Sequence, residues 1–325
     1  MPFKNFVASA ALVVTVAFGG SPVLAQEWPS KPIRLIVPFP AGGGTDIIGR
    51  VLGSKLSEQL KQPVVIENKP GAGGNIGIDA VVKSPADGYT IVLGQTSNLA
   101  ISPSLYKDLP YQPLRDLAPV ALVADAPLAI VVGAGSPFKS LSDLVAAAKA
   151  KPKALNFGSP GNGTVAHLTG ELLQSSTGIQ LEHIPYKGAA LALSDVMAGR
   201  IDVFMSSVPS ALAQVKGGKV RAIAVTSAKR VATLPDVPTV QEAGYPNFAA
   251  STWFGVLVPA KTNPSIIERL NAEIDRALLA PEVQEKIAAE GGSAIGGKPA
   301  AFTDLLKAEM PKWAKVVQDS GARID

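Results

Sequence analysis

Short apolar runs that look like strands alternate along this chain with segments of helical periodicity, and this order constrains the fold more than any other feature. Alternation of this kind predicts an α/β protein in which helices cover largely parallel sheets. The order begins at residues 33–39 and starts again at residues 128–133. Because 325 residues also exceed the roughly 100–150 typical of one domain, we predict two lobes.

The predicted elements follow from periodicity and from the glycines, prolines and polar clusters that separate them. The expected strands cover 33–39, 64–67, 90–93, 128–133, 155–158, 203–206, 220–226 and 253–258, and a further strand ends at Ile184. The expected helices cover 46–60, 76–83, 140–150 (capped by Ser140), 165–176, 189–198, 264–279 and 301–318, with 281–290 between the last two. Residues 26–126 with 253–325 then form the first lobe and 127–252 the second, joined by crossover strands near 121–132 and 250–258.

The N-terminus has the pattern of a signal peptide covering residues 1–25. Lys4 supplies a positive charge, residues 6–18 are almost entirely apolar, and Val23-Leu24-Ala25 provides a cleavage site. The apolar run is shorter than the roughly 20 residues that span a bilayer. We therefore predict cleavage after Ala25 and export of the remaining chain, with an uncleaved buried or amphipathic helix as the alternative.

The composition excludes several classes of protein. The chain contains no cysteine, which excludes disulfides, thiolate metal sites, cysteine nucleophiles and a thioether-linked lipid anchor. The formal net charge is +4, from 30 Lys and Arg against 26 Asp and Glu, and the charges are scattered rather than gathered in a tract. We therefore expect no nucleic-acid partner. A mildly positive field would help to gather small anions without selecting among them.

Four polar or glycine-rich loops follow predicted strands, which is where open α/β sheets bind their ligands. They cover residues 38–46, 68–75, 94–98 and 158–164. Helices that begin at such loops present free N–H groups to anions. The first loop holds three consecutive glycines, which permit close approach of the backbone to a ligand, so we interpret it as an anion-binding nest. For the second and third loops, a binding role and a structural role both stay open.

The fourth loop also carries the strongest indication of an enzyme. Gly161, Gly163 and Ala166 fit the pattern G-x-G-x-x-A, and Glu182 follows about 20 residues later, as a dinucleotide-binding fingerprint requires. Against this interpretation, the preceding strand is short and interrupted by Asn156, and an exported protein meets little NAD. An NAD(P)-dependent enzyme is therefore the alternative function rather than the favoured one.

Residues that other chemistries require are missing from the sequence. The only histidines, His167 and His183, form no H-E-x-x-H motif, and no nucleophile elbow or P-loop occurs. The first, third and fourth loops contain no Arg or Lys that could clamp an anion with a side-chain charge. A carboxylate held by backbone amides, hydroxyls and side-chain amides suits such loops. We therefore predict binding without catalysis, and without a metal or a cofactor.

Motifs spread over nearly the whole chain after the leader resemble those of one protein family. They are WPSKPIR at 28–34, VPFPAGGGTD at 37–46, ENKPGAGG at 67–74, SPADGYT at 84–90, SPGNGT at 159–164, PYKG at 185–188 and LPDVPT at 234–239. In this combination they resemble the substrate-binding proteins of tripartite tricarboxylate transporters, the Bordetella uptake gene (Bug) group. The chain departs from the family at Met205-Ser206-Ser207, where many relatives have Phe-Asp-Asn or a similar trio, which leaves the contacts of the second lobe open.

The resemblance implies a type II periplasmic-binding-protein fold, with two lobes that each have a central sheet flanked by helices and are joined by two crossover strands. It implies a periplasmic protein that closes on a di- or tricarboxylate, an acidic amino acid or an aromatic acid for membrane permease subunits. As a further alternative, the protein signals to a membrane sensor whether its ligand is bound. We expect the protein to be a monomer. Relatives hold a carboxylate through amides of the first loop. The predicted ligand-binding residues are Phe39, Ala41, Gly42, Gly43, Thr45, Asp46, Gln95, Thr96, Ser97, Ser159, Asn162, Gly163, Thr164, His167, Tyr186, Ser206 and Ser207.

Overall fold

The computed structural model describes Met1, residues 28–246 and residues 248–322. The predicted signal peptide and its cleavage site after Ala25 lie outside this part of the chain. No helix in the described residues is both long and apolar enough to cross a membrane.

Strands and helices alternate over most of the described chain. The strands are β1 (Ile33–Val37), β2 (Val64–Asn68), β3 (Thr90–Gln95), β4 (Leu117–Gly133), β5 (Asn156–Ser159), β6 (Glu182–Pro185), β7 (Val203–Ser207), β8 (Val220–Val225), β9 (Ser251–Pro259) and β10 (Ser293–Ala294). The helices are α1 (Gly44–Leu60), α2 (Asn75–Val82), α3 (Ser102–Leu105), α4 (Pro113–Asp116), α5 (Leu141–Ala150), α6 (Val165–Thr177), α7 (Ala189–Met197), α8 (Val208–Lys216), α9 (Pro264–Leu279), α10 (Pro281–Ala289) and α11 (Pro299–Ser320).

The first half of the sheet begins with three parallel strands, in which β1 lies between β2 and β3. Four of the five residues of β1 are buried apolar side chains, as expected for a central parallel strand covered on both faces. Helix α1 covers one of these faces, because Ile48, Leu52 and Leu56 recur at one-turn spacing and are fully buried. The loop between β1 and α1 therefore emerges at the carboxyl end of the strand.

Strand β4 runs through both halves of the sheet. Its residues up to Pro127 pair with β9, and from Leu128 onward it pairs with β7 and β8. Among the strands of the described residues, β9 pairs only with β3 and β4. The second connection between the halves is the segment around Ala250, whose carbonyl accepts a hydrogen bond of 2.6 Å from the Thr226 hydroxyl. That hydroxyl also accepts a 2.8 Å bond from the Leu128 amide, so Thr226 joins both connections.

The second half of the sheet repeats the parallel arrangement, with β5 between β6 and β7. The predicted cap of α5 is confirmed. The Ser140 hydroxyl accepts from the amide of Asp143, and the Asp143 carboxylate accepts from the amide of Ser140, which is a capping box. The last helices return to the first half, where Trp313 of α11 is fully buried in a core cluster with Trp253.

The predicted α/β class is confirmed, but the expectation of largely parallel sheets was wrong at the centre. Strands β3, β9, β4, β7, β8 and β10 meet in antiparallel pairs. The reason is that β4, which crosses between the halves, and β9, which pairs beside its first part, both enter the sheet without a preceding βα crossover. Residues 97–101, at the end of the predicted third loop, form a π-helical turn that leads into α3.

Candidate ligand-binding site

A cavity of about 90 Å³ lies between the two halves of the sheet. It is bordered by the residues that end or follow β1, β3, β5, β6 and β7, which is the sheet edge expected for a ligand in this class of fold. The first half contributes Phe39, Pro40, Ala41, Gly43, Gly44, Thr45, Gln95, Ser97, Thr252 and Phe254. The second half, from Leu128 onward, contributes Leu128, Pro160, Thr164, Val165, Ala166, Lys187, Gly188, Ala189, Ala190, Leu191, Ser207 and Ser210.

The glycine-rich loop before α1 is held in shape by the carboxylate of Asp46. This carboxylate is almost fully buried and accepts hydrogen bonds of 2.9 Å from the Gly42 amide, from Arg50 Nε and from Asn68 Nδ2. Burial raises the pKa of Asp46, but the hydrogen bonds from Arg50, Gly42 and Asn68 outweigh it and hold the pKa below its usual range. Gly42 has φ of +80°, so this turn requires a residue that tolerates the left-handed region.

Alternate amides of this loop are left without a protein acceptor. The Gly42 amide donates to Asp46, and the Gly44 amide donates to Ser210 Oγ at 2.9 Å. Within the described residues, the amides of Ala41, Gly43 and Thr45 have no hydrogen-bond acceptor, and all three residues line the cavity. Amide donors beside the N-terminus of α1 form a site that favours an anion.

Two polar side chains at the end of β3 complete the wall in the first half. Gln95 Nε2 donates to Thr45 Oγ1 at 3.3 Å, and Gln95 Oε1 is buried without a hydrogen-bond partner in the described part of the chain. Ser97 accepts a hydrogen bond of 2.9 Å from the Val165 amide of the second half. The wall therefore offers one unused acceptor, while the Ser97 oxygen already joins the two halves.

The fourth loop uses most of its hydrogen-bonding groups internally. The Gly161 amide donates to Ser159 Oγ, the Gly163 amide donates to His167 Nδ1, and the Thr164 amide donates to the Gly161 carbonyl. Thr164 also caps α6 by accepting from the His167 amide at 3.3 Å. Unlike the first loop, this loop therefore presents few amide donors to the cavity.

Hydroxyl groups after β7 form the floor opposite the first loop. Ser207 Oγ and Ser210 Oγ lie 2.9 Å apart, and both residues line the cavity. None of the described lining residues is acidic, and the only charged one is Lys187, which is exposed. A cavity with amide and hydroxyl donors, one cation and no carboxylate favours a small anion electrostatically.

Two stacked histidines lie behind the fourth loop. The ring centroids of His167 and His183 are 4.0 Å apart and the rings are nearly parallel, and the Phe157 ring also stacks on His183, with centroids 4.7 Å apart. His183 Nε2 lies 2.7 Å from Ser159 Oγ. Burial, and secondly the neighbouring His167, lower the pKa of His183 to about 3. The ring is therefore neutral at physiological pH and supports the loop.

The structure brings one part of the predicted ligand-binding set together at the cavity. The predicted residues that line the cavity are Phe39, Ala41, Gly43, Thr45, Gln95, Ser97, Thr164 and Ser207. The predicted residues outside the lining are Gly42, Asp46, Thr96, Ser159, Asn162, Gly163, His167, Tyr186 and Ser206.

Several of the residues outside the lining bind other parts of the protein. The Thr96 hydroxyl accepts from the Trp253 amide of β9 at 3.1 Å. The Tyr186 hydroxyl donates to Asp195 at 2.8 Å, and burial together with this carboxylate raises the pKa of Tyr186 to about 12. The Ser206 hydroxyl donates to the carbonyl of the next residue at 3.0 Å. These side chains stabilise the strand ends rather than border the cavity.

Much of the apolar lining lies outside the predicted ligand-binding residues. Leu128, Val165, Leu191 and Phe254 belong to strands or helices, and an apolar side chain in such an element looks like core from periodicity alone. Lys187 is not among the predicted ligand-binding residues, although it lies in the PYKG motif directly after β6. Ser210 lies in the first turn of α8, three residues after Ser207, which is the N-cap residue of that helix, and this spacing was the available signal.

The geometry of β6 argues against the dinucleotide interpretation. Glu182 is the first residue of β6 and pairs in register with Asn156, whereas the fourth loop follows Ser159 at the opposite end of the parallel strand β5. A fingerprint carboxylate must lie at the carboxyl end of its strand to reach a ribose bound at the loop. In the described residues, no group of three or more His, Asp or Glu side chains is arranged to hold a metal ion.

The sequence matches a known family over most of its length. The family described as tripartite tricarboxylate transporter family receptor matches residues 48–322. The protein BugT of Bordetella pertussis is 40% identical over 325 residues, which cover 100% of both chains. The chain belongs to the tripartite tricarboxylate transporter receptor (TctC/Bug) family. Its members among the solved structures are periplasmic binding proteins, and the predicted family membership is confirmed.

Solved structures of the family share this fold. R. palustris Rpa4515 with adipate is 34% identical, with a TM-score of 0.89 over 92% of this chain and 100% of that chain. MatC from Rhodopseudomonas palustris with bound malate is 29% identical, with a TM-score of 0.85 over 89% of this chain and 100% of that chain. A TctC solute-binding protein from Polaromonas with no ligand is 30% identical, with a TM-score of 0.67 over 90% of this chain and 99% of that chain.

Proposed function

We propose that this protein captures a small carboxylate in the cavity between residues 26–126 with 253–325 and residues 127–252, and that it does so by hinge closure. The observation that carries the proposal concerns three amides of the first loop, at Ala41, Gly43 and Thr45. They border the cavity and have no hydrogen-bond acceptor in the described part of the chain. The carboxylate accepts from these amides near the N-terminus of α1, where the helix dipole also favours negative charge.

The remaining lining determines which carboxylates fit. Phe39, Phe254, Leu128 and Val165 border the cavity with apolar surface, which stabilises a hydrocarbon body by its removal from water. Lys187 is the one charged residue among the described residues that line the cavity, and it attracts a second carboxylate at an exposed position. We therefore propose that acids with a hydrocarbon body bind better than hydroxylated acids of the same length.

Hinge closure is supported by two features. Strand β4 passes continuously through both halves, and the other connection is the short segment around Ala250, so rotation can occur at a few residues. The relatives described with adipate and with malate also have higher TM-scores to this chain than the relative described with no ligand, at similar sequence identities. A rotation between two lobes lowers a TM-score in this way.

Export and transport complete the proposal. The signal-peptide pattern at residues 1–25 and the periplasmic relatives support a periplasmic protein that is cleaved after Ala25. The family description as a transporter receptor supports membrane permease subunits as its partners.

The protein performs no chemistry on its ligand, since the cavity lining contains no carboxylate or histidine among the described residues to act as an acid or a base.

Thermal unfolding with a panel of acids tests this function. The panel contains adipate, malate, glutamate, benzoate and citrate, with NAD and NADP as the contrast. A ligand present at 1,000 times its Kd stabilises the folded protein by about 4 kcal/mol, and we expect such a shift from at least one carboxylate and none from the dinucleotides. Stabilisation by NAD or NADP with no response to any acid would refute the proposal.

A further inference from the structure

Two hydrogen bonds cross the cavity between the halves of the protein, and they are chemically alike. The Gly44 amide of the first half donates to Ser210 Oγ of the second half at 2.9 Å. The Val165 amide of the second half donates to Ser97 Oγ of the first half, also at 2.9 Å. Each bond joins the first residue of a helix on one side to a serine hydroxyl on the other.

The arrangement satisfies groups that a helix leaves unpaired. The first N–H groups of a helix have no partner within it, and Gly44 and Val165 are the first residues of α1 and α6. In the closed arrangement a serine oxygen supplies the partner in both cases. Both serines are held in place, since Ser97 is 1% exposed and the Ser210 hydroxyl lies 2.9 Å from Ser207 Oγ.

We propose that Ser97 and Ser210 form a closure latch, in which two reciprocal hydrogen bonds between hydroxyls and helix N-terminal amides hold the cleft closed in the absence of ligand. This inference rests on the proposed function, because closure matters to a protein that captures a solute. The two serines act as positioning residues. They set the fraction of molecules that already have the ligand-binding conformation.

The latch and the proposed ligand use different amides of the first loop. Ser210 accepts from Gly44, whereas Ala41, Gly43 and Thr45 have no acceptor in the described residues. A carboxylate can therefore bind without displacing the latch. The apparent Kd of a ligand equals its intrinsic Kd divided by the fraction of molecules in the competent conformation, so the latch strengthens binding without touching the bound carboxylate.

Distance measurements on the ligand-free protein test the latch directly. The chain contains no cysteine, so Lys83→Cys and Lys149→Cys place one spin label on an exposed residue of each half, and pulsed electron resonance resolves open and closed populations. We expect Ser97→Ala and Ser210→Ala each to lower the closed-to-open ratio by about two- to tenfold, the range that one net hydrogen bond supplies. Ser54→Ala on α1 and Ser175→Ala on α6, which are exposed, serve as matched controls and leave the ratio unchanged.

The outcomes separate the latch from the proposed function. Wild-type protein that is entirely open without ligand, or variants with the wild-type distance distribution, would overturn the latch. A chain that binds no carboxylate would overturn the proposed function, while the ligand-free distances would still report on the latch. If only a direct ligand contact were lost in the variants, Kd would rise without any change in the ligand-free distances, and this result also counts against the latch.

Discussion

Gly44 lies where the first helix meets the second half of the protein, and we expect Gly44→Ala to oppose closure. A Cβ atom at this position would lie 2.8 Å from Ser207 Oγ, closer than side-chain contacts normally allow, and 3.5 Å from Pro209 Cβ. Rotation of the Ser207 side chain would relieve the clash but would disturb its 2.9 Å contact with Ser210 Oγ. Overpacking of this kind costs about 1–3 kcal/mol, which corresponds to a Kd raised about 5- to 150-fold.

The stability of the ligand-free protein separates this effect from misfolding. The crowding atoms at Gly44 belong to the other half of the protein, so the open form accommodates the alanine. Alanine also has a better helix propensity than glycine, by up to about 1 kcal/mol. We therefore expect titration calorimetry with the best acid of the panel to show weaker binding, while the Tm of the ligand-free variant does not fall.

A second substitution makes the test specific. Adding Ser207→Ala to Gly44→Ala removes the clashing oxygen, so the double variant should bind more tightly than Gly44→Ala alone, with a coupling energy that a double-mutant cycle measures. Gly135→Ala is the matched control, because its φ is not positive and no atom of the described residues, apart from its chain neighbours, lies within 4 Å of its Cβ position. Wild-type affinity in Gly44→Ala, or a fall in its Tm large enough to indicate a damaged fold, would refute the reasoning.

Three further predictions concern the loop, the histidine pair and the connections between the halves. Gly42→Ala places a Cβ at φ of +80° and should lower the free energy of unfolding in urea by about 1–2 kcal/mol. Gly43→Ala, at φ of −86°, should leave this free energy unchanged. Equal effects of the two substitutions would contradict the assignment of strain to Gly42. Because burial and His167 lower the pKa of His183 to about 3, the unfolded chain binds a proton between pH 6.5 and 3 that the folded chain does not. Stability should therefore fall by a few kcal/mol as pH falls through this window, and His183→Phe should flatten the loss; an unchanged slope in the variant would show that other groups dominate. Thr226→Val removes the hydroxyl that joins both connections between the halves and should lower the free energy of unfolding by about 1–3 kcal/mol. If chemical denaturation gives the variant the same free energy of unfolding as the wild type, the hydroxyl is dispensable.

The strands and helices of the first βαβ unit could be predicted from the sequence to within about two residues. Strand β1 and helix α1 were expected at 33–39 and 46–60 and are found at Ile33–Val37 and Gly44–Leu60. Their signals are local, since burial on both faces requires an unbroken apolar run and burial on one face requires a repeat of one helical turn. The π-helical turn at Ser97–Ile101 was missed because no periodicity distinguishes so short a segment from a loop.

More of the predicted residues line the cavity on the first half than on the second. Ala41, Gly43 and Thr45 border the cavity as their strand-end position predicts. In the second half, Ser159 and His167 were expected beside the ligand, but they support the fourth loop through His183. A hydroxyl or an imidazole can bind a ligand or its own backbone with equal ease, and the sequence does not distinguish the two.

The sequence by itself determined the family, the α/β order, the absence of cysteine chemistry and the placement of glycine-rich loops at strand ends. The tertiary structure decided which groups of those loops are left for a ligand. The Gly44 amide meets Ser210 across 166 positions of chain, and the Val165 amide meets Ser97 across 68. Propensity and periodicity act within one or two turns of chain, whereas these pairings exist only when both sheet halves have formed and closed. The glycine-rich loop was therefore visible from the start, but its alternation of used and unused amides depends on contacts that only the folded chain contains.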